Sequence, residues 1–239
     1  IVSALGASAT LLLAAPLAQG QEAQPTAHST AQDDGGVEEI VVTAQKRSEN
    51  LQSVPLSIQA LSAQTLQRAA VTTIDSVPSL APGFTLANVG SGFVSYSYIR
   101  GAGTNVVDAG ADPSVAYFVD EVYLAGTAGL AFDFLDLERI EVLKGPQGTL
   151  FGRNAAAGAI NIITARPEDH FDAYAQVDAG DYAAFSARAG VTGPLTEAGD
   201  WRYRLSLGHR EHGPYVNNLT PGGRDPGALN TYTGRGQLQ

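Results

Sequence analysis

From Phe171 onward the chain alternates apolar and polar residues with a period of two, in segments of about ten residues. Phe171, Ala173, Ala175, Val177 and Ala179 share one face, against Asp172, Tyr174, Gln176, Asp178 and Gly180 on the other. Past Asp181 the pattern repeats, with Ala183, Phe185, Ala187, Ala189 and Val191 opposite Ser186, Arg188, Gly190 and Thr192. A third segment sets Trp201, Tyr203, Leu205 and Leu207 against Arg202, Arg204, Ser206 and Gly208, and a weaker one covers residues 231–239. Successive side chains of a strand point to opposite faces, so this pattern predicts antiparallel strands with one apolar face. A soluble sheet with one wet face satisfies it, and so does the wall of a transmembrane barrel. Four strands cannot close a barrel: the smallest have roughly eight, and an open edge in hydrocarbon leaves backbone groups unpaired. On the barrel reading, the segment is expected to be a fragment.

Residues 38–167 read differently. After a loop from Gln45, the residue pattern predicts a short strand at 56–60 and a helix capped by Ser62. A second short helix over 74–80 should be broken by proline. Strands are expected to end at 98–101, to cover 114–120 and 137–144, and to finish at 158–164 before Pro167. The segment 137–144 alternates apolar with charged residues, as a half-buried strand should, and residues 145–148 (GPQG) form a turn. Short strands mixed with helices predict a compact α+β domain.

The N-terminal region divides in three. Residues 5–17 (LGASATLLLAAPL) are too short an apolar run to span a bilayer, which needs roughly 20. They suit the core of a secretory signal with a small-residue cleavage site at 18–20, although a buried helix would share the composition. The chain contains no Met, so Ile1 is expected not to be a natural start, and both ends are expected to be cut. Residues 21–36 hold only alanines with polar and turn residues, which predicts disorder. Then Ile40, Val41, Val42 and Thr43 form a β-branched run behind Glu38 and Glu39. Such a run is either the first strand of the domain that follows or a sticky segment for strand addition to a partner's sheet edge.

Several functions find no support. A net charge of −10, with no run among 14 basic residues, argues against nucleic acid. The absence of Cys excludes disulfides, thiol catalysis and Cys-based zinc. The Gly-rich stretch 145–152 lacks the Gly-Lys-Ser/Thr ending of a phosphate loop. His28, His170, His209 and His212 show no metal-ligand grouping; the last two read as loop histidines. No catalytic residue, metal or cofactor is expected.

The stretches EEIVVTAQKRSENLQSVPLSIQALS, IRGAG, GADPSVAYFVDEVYL and DLERIEVLKGPQGTLFGRNAAAGAINIITARP resemble those of TonB-dependent outer-membrane receptors. The last, a long ungapped run, carries most of the resemblance, which covers residues 38–167. It implies an α+β plug domain, a small mixed sheet with short helices, followed by the first antiparallel strands of a transmembrane β-barrel of about 22 strands. The implied organisation is a signal remnant (1–20), a tether with a TonB box (21–47), a plug (48–167) and the start of the barrel (168–239). Glu39, Ile40, Val41, Val42, Thr43 and Ala44 would be the TonB box. Its partner would be the periplasmic domain of TonB with its inner-membrane energising complex, and outer-membrane lipid would surround the barrel. The implied activity is active uptake of a scarce extracellular ligand, a ferric siderophore first, with cobalamin, a saccharide or an aromatic compound as alternatives. A passive plugged porin is a further reading. For ligand contact the expectation falls on Tyr96, Tyr98, Asn105, Asp108 and Asp112, on inferred apical loops. On the barrel reading, hairpin logic gives an orientation: the short connection at 193–200 would be a periplasmic turn and the longer one at 211–230 would face outward. One departure stands out: Asp120 is followed by Glu121 where the family usually has glycine, which puts a tight turn there in doubt.

Overall fold

The computed structural model describes residues 41–43, 46–47, 49–89, 94–105, 112–125, 133–196, 199–220, 223 and 225–239. The expected signal and the tether up to residue 40, with Ala44 and Asp108, lie outside these residues. Every described residue belongs to one compact unit, Glu39–Gln239.

Strand β1 (Val41–Val42) pairs antiparallel with β2 (Glu49–Asn50). Then come β3 (Ser57–Ser62), α1 (Ala63–Arg68) and a 3-10 helix (Ile74–Ser79). Strands β4 (Phe84–Val89), β5 (Val94–Ile99) and β6 (Ala102–Gly103) make a small antiparallel sheet. The main sheet is completed by β7 (Val115–Val119), β8 (Val122–Leu124), β9 (Leu137–Lys144) and, after α2 (Gly148–Phe151), β10 (Gly158–Thr164). Its order is β3-β9-β10-β7-β8, with β10 parallel to β7 and antiparallel to β9. This is the α+β plug expected, with Ser62 capping α1 by accepting from the Thr65 amide.

Hydrophobic clusters cover both faces of that sheet. Leu61, Ile140, Val142, Ile160 and Ile162 pack with α1 and the 3-10 helix on one face. Alternate residues Ala116, Phe118, Leu143 and Ala159 pack with Val42 and Val54 on the other. The expectation that 137–144 is half-buried is therefore corrected: Ile140 to Leu143 are all buried, Glu141 included. The short helix ends at Ser79, ahead of Pro82, and carries Pro78 inside it, tolerated because six residues of 3-10 helix ask little of its missing amide.

The tight turn that Glu121 puts in doubt does form. Asp120 and Glu121 take φ of 46° and 69°, the double left-handed geometry of a type I′ hairpin, and Val119 pairs with Val122. Asp120 is held there by the Thr164 amide at 2.9 Å, the Thr164 hydroxyl at 2.7 Å and Arg235 Nη2 at 2.5 Å. Glu121 has no such compensation, so Glu121→Gly is expected to stabilise the receptor by about 0.5–1 kcal/mol, read as a raised denaturation midpoint.

Strands β11 (Asp172–Gly180), β12 (Ala184–Pro194), β13 (Arg202–His212) and β14 (Leu229–Leu238) follow as one antiparallel meander. The predicted faces hold: Val177, Leu205, Leu207 and Tyr232 stand exposed on one side, while Tyr174, Arg204 and Ser206 turn toward the plug. His209 and His212 are not loop histidines but belong to β13; His209 stacks on Tyr232 with ring centres 4.4 Å apart.

The plug meets this wall through charges. Asp136 receives Arg204 Nε at 2.5 Å and Nη2 at 2.7 Å, with the Ser206 hydroxyl at 2.5 Å. Asp133 pairs with Arg210 and accepts from the Thr231 hydroxyl at 2.5 Å. Asp120 takes Arg235. Three acids of the plug are thus each met by an arginine from β13 or β14.

Candidate functional site

The β-branched run at the N-terminal edge of the described residues is folded onto the plug. Val42 is 0% exposed, inserted among Val54, Leu143 and Ala159, while Val41, on the opposite side of the strand, is 43% exposed. The expected tether boundary at residue 47 falls between β1 and its partner β2, and Val42 buries apolar surface that a free tether would leave in water.

Thr43 is held by side chains of the plug. Its backbone N–H donates to Glu141 Oε1 at 2.8 Å, and its hydroxyl lies 3.1 and 3.2 Å from the two oxygens of that carboxylate. Glu141 is 0% exposed and also accepts from Arg139 Nε at 2.8 Å and Asn161 Nδ2 at 3.2 Å. Arg139 additionally pairs with Glu138. A buried carboxylate is costly unless its lone pairs are filled, and here the strand supplies part of that filling. Beside Thr43 lies a cavity of about 290 Å³, lined in part by Lys46, Arg139, Asn161, Thr164 and Gln237.

Of the residues expected to contact ligand, Tyr96, Tyr98, Asn105 and Asp112 are among the described residues. Tyr96 and Tyr98 lie on β5, not on a loop, half-buried and facing away from Ser95, Ser97 and Ile99. Their strand persists because Phe84 to Val89 pair with it residue for residue. Asn105 is exposed just past β6, and Asp112 accepts from Asn154 Nδ2 at 3.1 Å. The Thr104 and Ser114 hydroxyls share a hydrogen bond that brings the residues flanking 106–111 together. Behind β5, Tyr117 is hydrogen-bonded to Ser97, and burial holds its phenol above the usual tyrosine range. Sequence reasoning missed Glu141 and Asp136, whose partners Thr43 and Arg204 lie 98 and 68 positions away in the chain.

Residues 50–159 match the family model described as the TonB-dependent receptor plug domain. The chain belongs to the TonB-dependent receptors. It is 29% identical over 228 residues to the pesticin receptor of Yersinia pestis, covering 94% of this chain and 33% of that protein. It is 28% identical over 178 residues to the ferripyoverdine receptor of Pseudomonas aeruginosa, covering 74% and 21%. The vitamin B12 transporter of Vibrio vulnificus is 29% identical over 180 residues, covering 73% and 28%. Among solved structures, the ferric yersiniabactin uptake receptor from Yersinia pestis superposes with a TM-score of 0.70 at 27% identity, over 77% of this chain and 28% of that one. The chain thus spans about a third of the length of the pesticin receptor. These relatives are outer-membrane receptors and transporters rather than enzymes, and the TonB-dependent receptor described here shares their plug and first wall strands.

Proposed function

We propose that this chain is the energy-coupling and gating portion of a receptor that takes up a ferric siderophore across the outer membrane, driven through TonB. The observation that carries this reading is the docking of Val41 and Val42. Two ladder pairs, one buried side chain and a few polar contacts hold a β-branched strand that is suited to exchange its partner. Glu39 to Ala44 would be the TonB box, preceded by a signal remnant (1–20) and a tether, with the plug ending near 167. Strands β11 to β14 would face lipid with Val177, Leu205, Leu207 and Tyr232. The turn at 195–201 would point to the periplasm, and the connection between β13 and β14 outward. Tyr96, Tyr98, Asn105, Asp108 and Asp112 would contact ligand. The ferripyoverdine and ferric yersiniabactin receptors among the similar proteins support iron chelates as the ligand class. Cobalamin is the second reading, favoured by the similarity to a vitamin B12 transporter.

Val41→Pro in the full-length receptor tests the coupling. Proline removes a backbone donor and cannot continue a ladder. Binding of a siderophore carrying radioactive iron should persist while its accumulation in cells stops. Unchanged accumulation would make β1 mere structure and favour a passive plugged channel, whereas labelled cobalamin accumulating in place of iron would change the ligand class and keep the mechanism.

A further inference from the structure

The contact between Thr43 and Glu141 sets two uses of one strand in competition. Strand addition needs the backbone N–H and C=O groups of the incoming strand to be free. The Thr43 N–H is not free, because the Glu141 carboxylate takes it at 2.8 Å. The Thr43 hydroxyl is engaged by the same carboxylate and lies 3.5 Å from Arg139 Nη2. We propose that Glu141 is a positioning residue for the coupling strand: its buried carboxylate holds the Thr43 amide that a partner strand would have to take, so docking on the plug and pairing with a partner exclude one another. This rests on the reading of β1 as the coupling strand.

The chemistry of the site fits a reversible catch better than a permanent anchor. An aliphatic residue at position 141 would continue the apolar face formed by Leu143, Ala159 and Val42. A carboxylate there is fully buried, with Thr43 among the groups that contact it. Once the strand leaves, water from the adjoining cavity can hydrate the oxygens, which offsets part of the lost contact. Arg139 and Asn161 keep the carboxylate aimed in the meantime. Neighbouring residues thus hold the segment in different ways. Val42 holds by buried area, and Thr43 holds by a bond that exchanges readily with water or another strand.

The test uses the full-length receptor in outer-membrane vesicles with a nitroxide at Val41→Cys, a position already partly exposed, and reads the mobile fraction of the spectrum. A second label at Arg68→Cys, on the exposed side of α1, reports the opposite face of the plug. Glu141→Ala should raise the mobile fraction at residue 41 roughly tenfold, the effect of losing a charge-assisted bond, with the label at residue 68 unchanged. Glu141→Gln should stay near the parent. Its carbonyl can still accept from Thr43 and Arg139, and its amide can donate to Asn161 Oδ1, which is buried and without a partner among the described residues. Thr43→Val, which keeps the side chain's shape, should give an intermediate release; it carries the comparison if Glu141→Ala fails to show the heat-modifiable migration of an assembled barrel. A label at residue 41 as immobile in Glu141→Ala and Thr43→Val as in the parent overturns the proposal. So does equal loosening at residue 68, which would mean that Glu141 holds the plug rather than the strand. Adding the periplasmic domain of TonB separates the two readings: a strand released by Glu141→Ala that binds this domain no more tightly than the parent leaves the catch standing and removes the coupling role.

Discussion

Replacing Arg204 by Ala is expected to loosen the plug from the wall by about 3–5 kcal/mol, the usual cost of stripping the partner from a buried ion pair. Arg204 and Asp136 are both nearly covered, and the guanidinium grips the carboxylate with two parallel bonds while reaching the Arg166 carbonyl and Glu168 at 3.2 Å. Burial pushes the Asp136 carboxyl up, but hydrogen bonds from Arg204 and Ser206 and the nearby guanidinium charges outweigh it, so the group sits below the ordinary carboxylate value. A lowered value in the folded state stabilises at any pH above the ordinary one and is lost as pH falls through the lowered one. The parent should therefore keep its plug seated under mild acidity. In Arg204→Ala only the Ser206 hydroxyl and the more distant Arg235 charge still oppose burial, so the attachment should already be weaker at neutral pH. Urea titration of the purified receptor, read by protease cleavage of the plug, measures the loss. Arg204→Lys should recover only part of it, because an ammonium cannot reproduce the fork. The double variant with Asp136→Asn should be milder than Arg204→Ala alone, since no lone charge remains buried. A cleavage profile identical to the parent would mean the pair contributes nothing to seating.

The second large effect is expected at the start of β10. Gly158 has φ of 155°, and a Cβ built there would lie 2.3 Å from the Leu143 carbonyl oxygen and 2.6 Å from Ile99 Cδ1. The first clash is with backbone of the neighbouring strand, which cannot move aside without disturbing the β9–β10 ladder. Gly158→Ala is expected to destabilise the plug by roughly 2–5 kcal/mol, combining overpacking with a backbone angle unfavourable to alanine. Hydrogen exchange of β9 and β10 amides in the full receptor should accelerate by orders of magnitude, while β12 and β13 amides stay protected. Equal acceleration in both would show that plug and wall unfold as one unit.

The strands that were readable in advance share a physical character. The bounds of β9 and β10 match expectation residue for residue, because β9 alternates apolar with charged residues up to the turn at Gly145 and β10 is rich in β-branched residues ahead of Pro167. The wall strands were readable because a single period of two runs through them, and even the weak last segment forms β14 with clean alternation. What escaped was set by contacts distant in sequence. Thr43 and Glu141 are 98 positions apart, and Arg204 and Asp136 are 68 apart. In LERIEVLK the second glutamate looks like another solvent-facing charge; nothing local says that a strand from the far N-terminal side will cover it. The strand end at Tyr98 was legible, but the strand position of Tyr96 was not: β5 is short, and it exists by virtue of its pairing with β4.

The separation of the plug interior into two clusters on opposite faces of one sheet has a mechanical consequence. A pull on the chain ahead of Val41 loads the β1–β2 ladder first, then Val42 and the smaller cluster around Phe118 and Leu143. The larger cluster around Ile140, Ile160 and Ile162 lies behind the sheet and out of that line of force. Its hold on α1 and β3 does not depend on β1. Tension can thus peel one layer while the other keeps its shape, so the plug yields in stages under load instead of giving way at once.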